Sequence, residues 1–311
     1  MKRPKFTIVG AGNVGAAATQ IAATQHLGDI VLVDIVEGLA AGKALDLAEA
    51  APIQLYDCKI SGDSKWDDTA GSDIVIVTSG LPRKPGMSRD DLLAKNTAIV
   101  RDVAEKIKRY SPDSFVIVVC NPLDAMVYAV SKVTGFDKNR IVGMAGALDS
   151  ARFNCFIAAE LGCSVEDIQG LLLGGHGDDM VPLPRYTSVR GIPLTELMDS
   201  NTIRRIVERT RKGGIEIVNL LGYSAYYAPA AGAVKMAEAI IRDKKSLIPC
   251  CAYCLKQYNA GGYFVGVPAV LGAGGVEKII ELDLNDRERA EFQESLAHVK
   301  YLVNKVDTIL A

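Results

Sequence analysis

Three histidines occur in the 311 residues, so each can be weighed singly. His26 follows a helical stretch and His298 sits in a charged one; both are expected in solvent. His176 is different. It stands in Leu173-Gly174-Gly175-His176-Gly177-Asp178, where glycines free the backbone to project an imidazole from a strand end. Such an imidazole can move a proton near neutral pH, or can be a turn residue. Asp149 and Arg152 open a helix just after a glycine-containing stretch, and residues three apart share a helix face. They read either as a surface pair at a helix start or as a working pair. In the second case Asp149 orients a histidine and Arg152 grips a carboxylate through two parallel hydrogen bonds. More cations lie between Gly80 and Asp91, in LPRKPGMSRDD. With its prolines and charges this segment is too polar for a core and too well furnished for a linker, and it is a candidate lid.

These groups need a scaffold, and the N-terminal stretch FTIVGAGNVG describes one. Residues 6–9 read as a buried strand, broken by Gly10-Ala11-Gly12-Asn13-Val14-Gly15 and followed at once by an alanine-rich helix. The first turn of a helix offers unpaired N–H groups and the positive end of the dipole, which suits phosphate. Gly10 permits the tight turn, Gly12 lets a pyrophosphate approach, and Gly15 lets helix and strand pack closely. A second apolar run, 30–33, ends at Asp34. That carboxylate can accept from two ribose hydroxyls and would repel a 2′-phosphate, so NAD is expected rather than NADP.

Composition narrows the class. The net charge is −2, hydrophobic residues make up 49% and charged residues 23%, and Lys and Arg are scattered. Nothing here suggests a nucleic-acid or anionic-membrane partner. No apolar run approaches the roughly 18 residues that span a bilayer, and the early first strand leaves no room for a signal peptide. A cytoplasmic protein is expected. Seven cysteines include the CxxC of Cys251 to Cys254, but no second pair or nearby His completes a zinc set. LIPCCAYCL reads instead as a buried strand with reduced thiols, and no metal site is expected.

Strands at 6–9, 30–33, 74–78, 115–120 and 140–143 alternate with helices, the pattern of a doubly wound parallel sheet. After residue 144 the pattern changes to helices at 148–161, 201–213 and 228–241 and strand-like segments at 246–255, 263–270 and 274–280 that look antiparallel. A long amphipathic helix, 286–310, has Asn285 as a plausible cap. The expected fold is α/β: an N-terminal doubly wound parallel (Rossmann) sheet over 1–144 and a C-terminal mixed α+β catalytic domain over 145–311.

GAGNVG, the acid at Asp34, PRKPGMSR (82–89), NPLD (121–124), LDSAR (148–152), GGHGD (174–178) and SAYYAPAAG (224–232) stand in this order along the chain. Together they resemble the lactate/malate dehydrogenase superfamily, and within it the malate enzymes of lactate-dehydrogenase-like sequence, over essentially the whole chain. The resemblance implies an NAD-dependent oxidoreductase with His176 as acid/base and Asp149 as its orienting partner. Arg152 would hold the substrate's C1 carboxylate, Arg89 would polarise the carbonyl, and Asn121 would contact substrate and cofactor. Gly10, Gly12, Asn13, Gly15, Asp34, Thr78, Gly80, Asn96, Val119 and Asn121 would line the NAD site. It also implies a homotetramer, with a homodimer as the alternative, and a place at the malate–oxaloacetate step of the tricarboxylic acid cycle.

Arg83 matches the position that separates substrates in this family, Gln in lactate enzymes and Arg in malate enzymes. Physical chemistry points the same way. A dicarboxylate buried under a lid needs a second cation, and Arg83 supplies it. Pyruvate's methyl would strand that cation, so discrimination comes from desolvation as much as attraction. The alternatives are a lactate or other 2-hydroxyacid dehydrogenase, a non-catalytic NAD-binding protein, and an NAD-dependent glycosidase, which would need Cys and His metal ligands.

Overall fold

The computed structural model describes residues 3–82 and 88–311, and for Arg89 the main chain alone. Arg83 and the centre of the candidate lid therefore lie outside the described residues.

The chain opens as β1 (Lys5–Val9), α1 (Asn13–Thr24), β2 (Asp29–Val33), α2 (Leu39–Gln54), β3 (Ile60–Asp63) and β4 (Ile74–Val77). It continues through α3 (Arg89–Tyr110), β5 (Phe115–Val118), α4 (Leu123–Thr134), β6 (Ile141–Gly143) and α5 (Gly146–Leu161). Next come the short strands β7 (Ile168–Gln169), β8 (Leu172–Gly174), β9 (Met180–Pro182), β10 (Ser188–Val189) and β11 (Ile192–Pro193). The helices α6 (Leu194–Leu197), α7 (Ser200–Leu221) and α8 (Tyr227–Ile241) follow, then β12 (Ser246–Cys254), β13 (Tyr263–Gly272), β14 (Gly275–Ile279) and α9 (Asp286–Leu310).

The main sheet runs β3-β2-β1-β4-β5-β6-β12-β13-β8-β9, with β14 on β13. The pairs from β3 to β6 are parallel. Their apolar runs explain this: Ile74 to Val77 are buried on both faces, as strands covered by helices on either side must be. Each such side chain gains about 1.5–3 kcal/mol over leaving it in water. The strand order reverses between β1 and β4, so a crevice opens at their carboxyl ends, where doubly wound sheets bind ligands. Gly10, Asp34, Thr78 and Val119 each follow the carboxyl end of one of these parallel strands.

Beyond β6 the sheet turns antiparallel. The seam is narrow: Cys251 of β12 pairs with Gly143 of β6. A Cβ on Gly143 would lie 2.9 Å from that of Cys251, so only glycine lets the strands approach this closely. Packing also crosses the seam, since α8 lies on α1 and α9 on α3 and α4.

Several details depart from the expectations. β3, with the sequence ISGD, lacks an apolar alternation and becomes a strand only by pairing with β2. The helix expected at 201–213 extends through its paired glycines to Leu221, closing on Gly222 at positive φ. A strongly amphipathic face outweighs the helix cost of two glycines, about 1 kcal/mol each. Thiols are not uniformly buried: Cys155 is exposed and Cys58 and Cys163 are half-buried. Cys250, Cys251 and Cys254 do lie buried on β12, and Asn285 caps α9 in a reciprocal pair with Glu288.

Candidate active site

The turn after β1 is set by close contacts. Gly10 has φ +102°, and a Cβ there would sit 2.7 Å from Thr78 Oγ1. A Cβ on Gly15 would lie 1.8 Å from the Gly10 carbonyl oxygen, closer than any side chain can approach. Gly12 faces open space, and no side chain caps α1. The first-turn N–H groups are therefore left for a ligand. Thr78 Oγ1 donates to the carbonyls of Val9 and Gly10 and so braces the turn from β4.

Asp34 is fixed by main-chain donors, accepting from Ala11 N–H at 2.7 Å and Val36 N–H at 2.9 Å. A carboxylate offers about four acceptor positions, so two remain for ribose hydroxyls. The chemistry of this donor set fits a dinucleotide. Beside it Ile35 is 90% exposed, an apolar surface that sequence reading passed over. Asn13, Gly12 and Gly80 stand exposed on the same edge, as does Asn121.

Asn96 and Val119, also expected at the cofactor site, are buried. Asn96 is fully buried in α3 and uses both amide protons on the carbonyls of Leu81 and Asn121, while its Oδ1 accepts from Leu81 N–H. It braces the two segments that would touch a cofactor instead of presenting free donors to one. The Val119 side chain is buried in the core, which leaves only its main chain to face the crevice.

In the C-terminal half of the chain, His176, Asp149 and Arg152 come together. His176 Nδ1 and Asp149 Oδ2 are 2.9 Å apart, and Arg152 Nη1 lies 3.4 Å from Asp149 Oδ1. Asp149 points inward from the first turn of α5, with a side chain only 3% exposed. The loop carrying His176 is tied down at its main chain: Gly175 N–H donates to Ser295 Oγ of α9 and His176 N–H to Asp124 Oδ2 of α4. Asp124 lies three residues after Asn121, so the same helix start links both halves of the crevice. Neither Asp124 nor Ser295 was singled out from sequence. The NPLD motif carried the first, and nothing local marked the second.

Burial works against a charge on His176. The charge and hydrogen bond of Asp149 and the charge of Asp124 outweigh it, with Arg152 opposing, so the imidazole titrates above the ordinary histidine value of 6.5. Burial also lowers the Arg152 pKa, partly offset by Asp149, and its Nε has no partner among the described residues. A buried guanidinium with an orphaned donor is a ready receptor for a carboxylate. His298 differs from the expectation of a solvated residue: it is half-buried and pairs with Asp179, just past the His176 loop. His26 is exposed. Among the described residues no group of three or more His, Cys, Asp or Glu is placed to hold a metal ion.

Residues 4–143 match the family model of the lactate/malate dehydrogenase NAD-binding domain, and 146–309 match that of the lactate/malate dehydrogenase alpha/beta C-terminal domain. The chain belongs to the lactate/malate dehydrogenase family. It is 58% identical to the malate dehydrogenase of Rhodopirellula baltica over all of both chains. It is 53% identical to that of Heliobacterium modesticaldum, covering 97% of this chain and 98% of the other. Among solved structures, malate dehydrogenase from Picrophilus torridus in its apo form superposes with a TM-score of 0.97 at 47% identity, over 99% of this chain and 98% of that one. The lactate dehydrogenase of Cryptosporidium parvum, complexed with lactic acid and nicotinamide adenine dinucleotide, reaches 0.96 at 41% identity over 99% of both. Backbone shape thus fits lactate and malate enzymes alike, and the choice of substrate rests on side chains.

Proposed function

We propose that this chain interconverts (S)-malate and oxaloacetate with NAD, using His176 as the acid/base. What supports the reading is the buried His176–Asp149–Arg152 constellation, in a chain whose first strand ends in a dinucleotide-type turn with uncapped helix N–H groups. NADH bound along the strand ends would supply hydride to the carbonyl carbon. Protonated His176 gives its proton to the carbonyl oxygen, and Asp149 holds the ring and stabilises the imidazolium. Arg152 pairs with the C1 carboxylate, Arg83 with the C4 carboxylate, and Arg89 polarises the carbonyl. Asn121 would contact substrate and cofactor, Gly10, Gly12, Gly15 and Asp34 would hold NAD, and Thr78 and Gly80 would stand beside it. Asp34 selects NAD over NADP by repelling a 2′-phosphate. The cofactor unit is 1–144 and the substrate unit 145–311.

Two features of one experiment test this. With NADH, kcat/KM for oxaloacetate should exceed that for pyruvate by on the order of 10²–10³ or more, the discrimination given by a buried unpaired charge of about 3–5 kcal/mol. A preference for pyruvate refutes the assignment. Reduction needs the protonated imidazole, whose pKa is raised. The fall of reductive kcat with rising pH should therefore have its midpoint above the ordinary histidine value of 6.5, while malate oxidation rises over that same interval.

No helix among the described residues is long and apolar enough to cross a membrane, and the reading is of a cytoplasmic enzyme. α2 touches β3, β2 and α1 on one side and leaves Leu45 61% and Ile53 84% exposed on the other. A second copy covering that face fits an oligomer, for which we assign a homotetramer with a homodimer as the alternative. Light scattering decides between them, and a monomer at micromolar concentration would overturn both.

A further inference from the structure

Two carboxylates are buried among the described residues, Asp149 and Asp124, and the mechanism above uses the first alone. Asp124 lies in the first turn of α4. Its Oδ2 accepts the His176 N–H at 3.0 Å, a contact spanning 52 positions of sequence. The loop rests directly on this carboxyl, since a Cβ on Gly175 would come 3.4 Å from Oδ2. The other oxygen, Oδ1, meets no regular hydrogen-bond donor, while the thiol of Cys251, a weak donor, lies against the carboxyl. That thiol cannot withdraw. Cys251 is fully buried and clamped at the narrow seam between β12 and Gly143 of β6.

The surroundings of Asp124 therefore consist of a main-chain donor and a thiol donor. Burial is the largest influence and leaves its pKa above the ordinary carboxylate value, while the His176 N–H, the Cys251 thiol and the neighbouring imidazole oppose that rise. We propose that Asp124 is a positioning residue for proton transfer: its carboxylate, held between the His176 N–H and the Cys251 thiol, anchors the catalytic loop and places a second negative charge beside the imidazole. The proposal rests on the reading of His176 as acid/base. Asp149 orients and stabilises the ring from α5, and Asp124 fixes the backbone from α4. Arg152 of α5 also acts on the ring, and Asp178 and Asp179 follow it in the same loop, Asp179 being paired with His298 of α9. Arg211 of α7 ends on the Met180 carbonyl and Glu291, so its charge is already engaged.

Asp124→Asn separates anchor from charge, because an asparagine carbonyl can still accept the His176 N–H. With only three histidines in the chain, imidazole NMR of labelled protein follows His176 directly, identified by the signal lost in His176→Asn. In Asp124→Asn the His176 midpoint should fall by about one unit, the lower end of what a nearby opposite charge imposes. The high-pH limb of reductive kcat should move down with it. A lower kcat with an unmoved midpoint would make Asp124 an anchor only and overturn the proposal. Should Asp124→Asn not fold, Cys251→Ala removes the thiol donor and leaves the carboxyl; its midpoint should fall by a smaller amount, and no fall overturns the proposal. The NMR midpoint needs no turnover. If His176→Asn kept near-normal kcat, the acid/base reading would fail while the titration remained a separate result.

Discussion

Replacing His176 by asparagine is expected to lower turnover by on the order of 10³- to 10⁴-fold and to leave NADH affinity within a few-fold. Asparagine can still donate a hydrogen bond towards the substrate oxygen, but it cannot release a proton to it. The developing alkoxide is then left to water, in a crevice where Asp149 still carries its charge. NADH affinity should survive because the turn at Gly10 to Gly15 and the carboxylate of Asp34 are held by contacts of their own, none of which involves the His176 loop. Stopped-flow turnover and fluorescence titration of NADH separate the two effects. A variant with near-normal kcat would remove His176 from the mechanism.

The second large effect concerns substrate choice. Arg83→Gln should shift the ratio of kcat/KM for oxaloacetate over pyruvate by on the order of 10²–10³ towards pyruvate. Glutamine removes the partner of the C4 carboxylate, and it also removes the unpaired cation that pyruvate would strand. Both terms push the same way, so the ratio should move further than either rate constant alone. Arg152 is untouched by the change, and binding of the shared C1 carboxylate should persist. A ratio unchanged in Arg83→Gln would mean that another residue reads the second carboxylate.

Much of the cofactor side could be read from sequence because its determinants are local. Gly10, Gly12 and Gly15 act within one turn, and Asp34 follows at the end of the next strand, so spacing alone carries the geometry. The Asp149 and Arg152 pair was equally local, three residues apart on one helix. What could not be read depended on contacts between distant positions. The Asp124 carboxyl meets the His176 main chain across α4 and the β8–β9 connection, and Ser295 reaches Gly175 from the last helix. That Asn96 ties Leu81 to Asn121 through its amide could not be read either, since those partners lie 15 and 25 positions away. β3 has no strand signature because its neighbour β2 provides one. His298 sits on a charged helix that sequence assigns to solvent, and only packing brings it to Asp179.

The contact between Gly15 and the Gly10 carbonyl bears on how the gene can vary. Every amino acid other than glycine carries a Cβ, and at Gly15 that atom would lie 1.8 Å from a main-chain oxygen. Every missense change in this codon therefore meets the same obstacle, whatever the size or charge of the new side chain. Gly12, three residues earlier in the same motif, faces open space and collides with nothing among the described residues; under the proposed reading a side chain added there would meet the cofactor first. One codon is closed by folding and its neighbour by binding, so variants at the two positions should separate a chain that cannot pack from one that packs and cannot hold its cofactor.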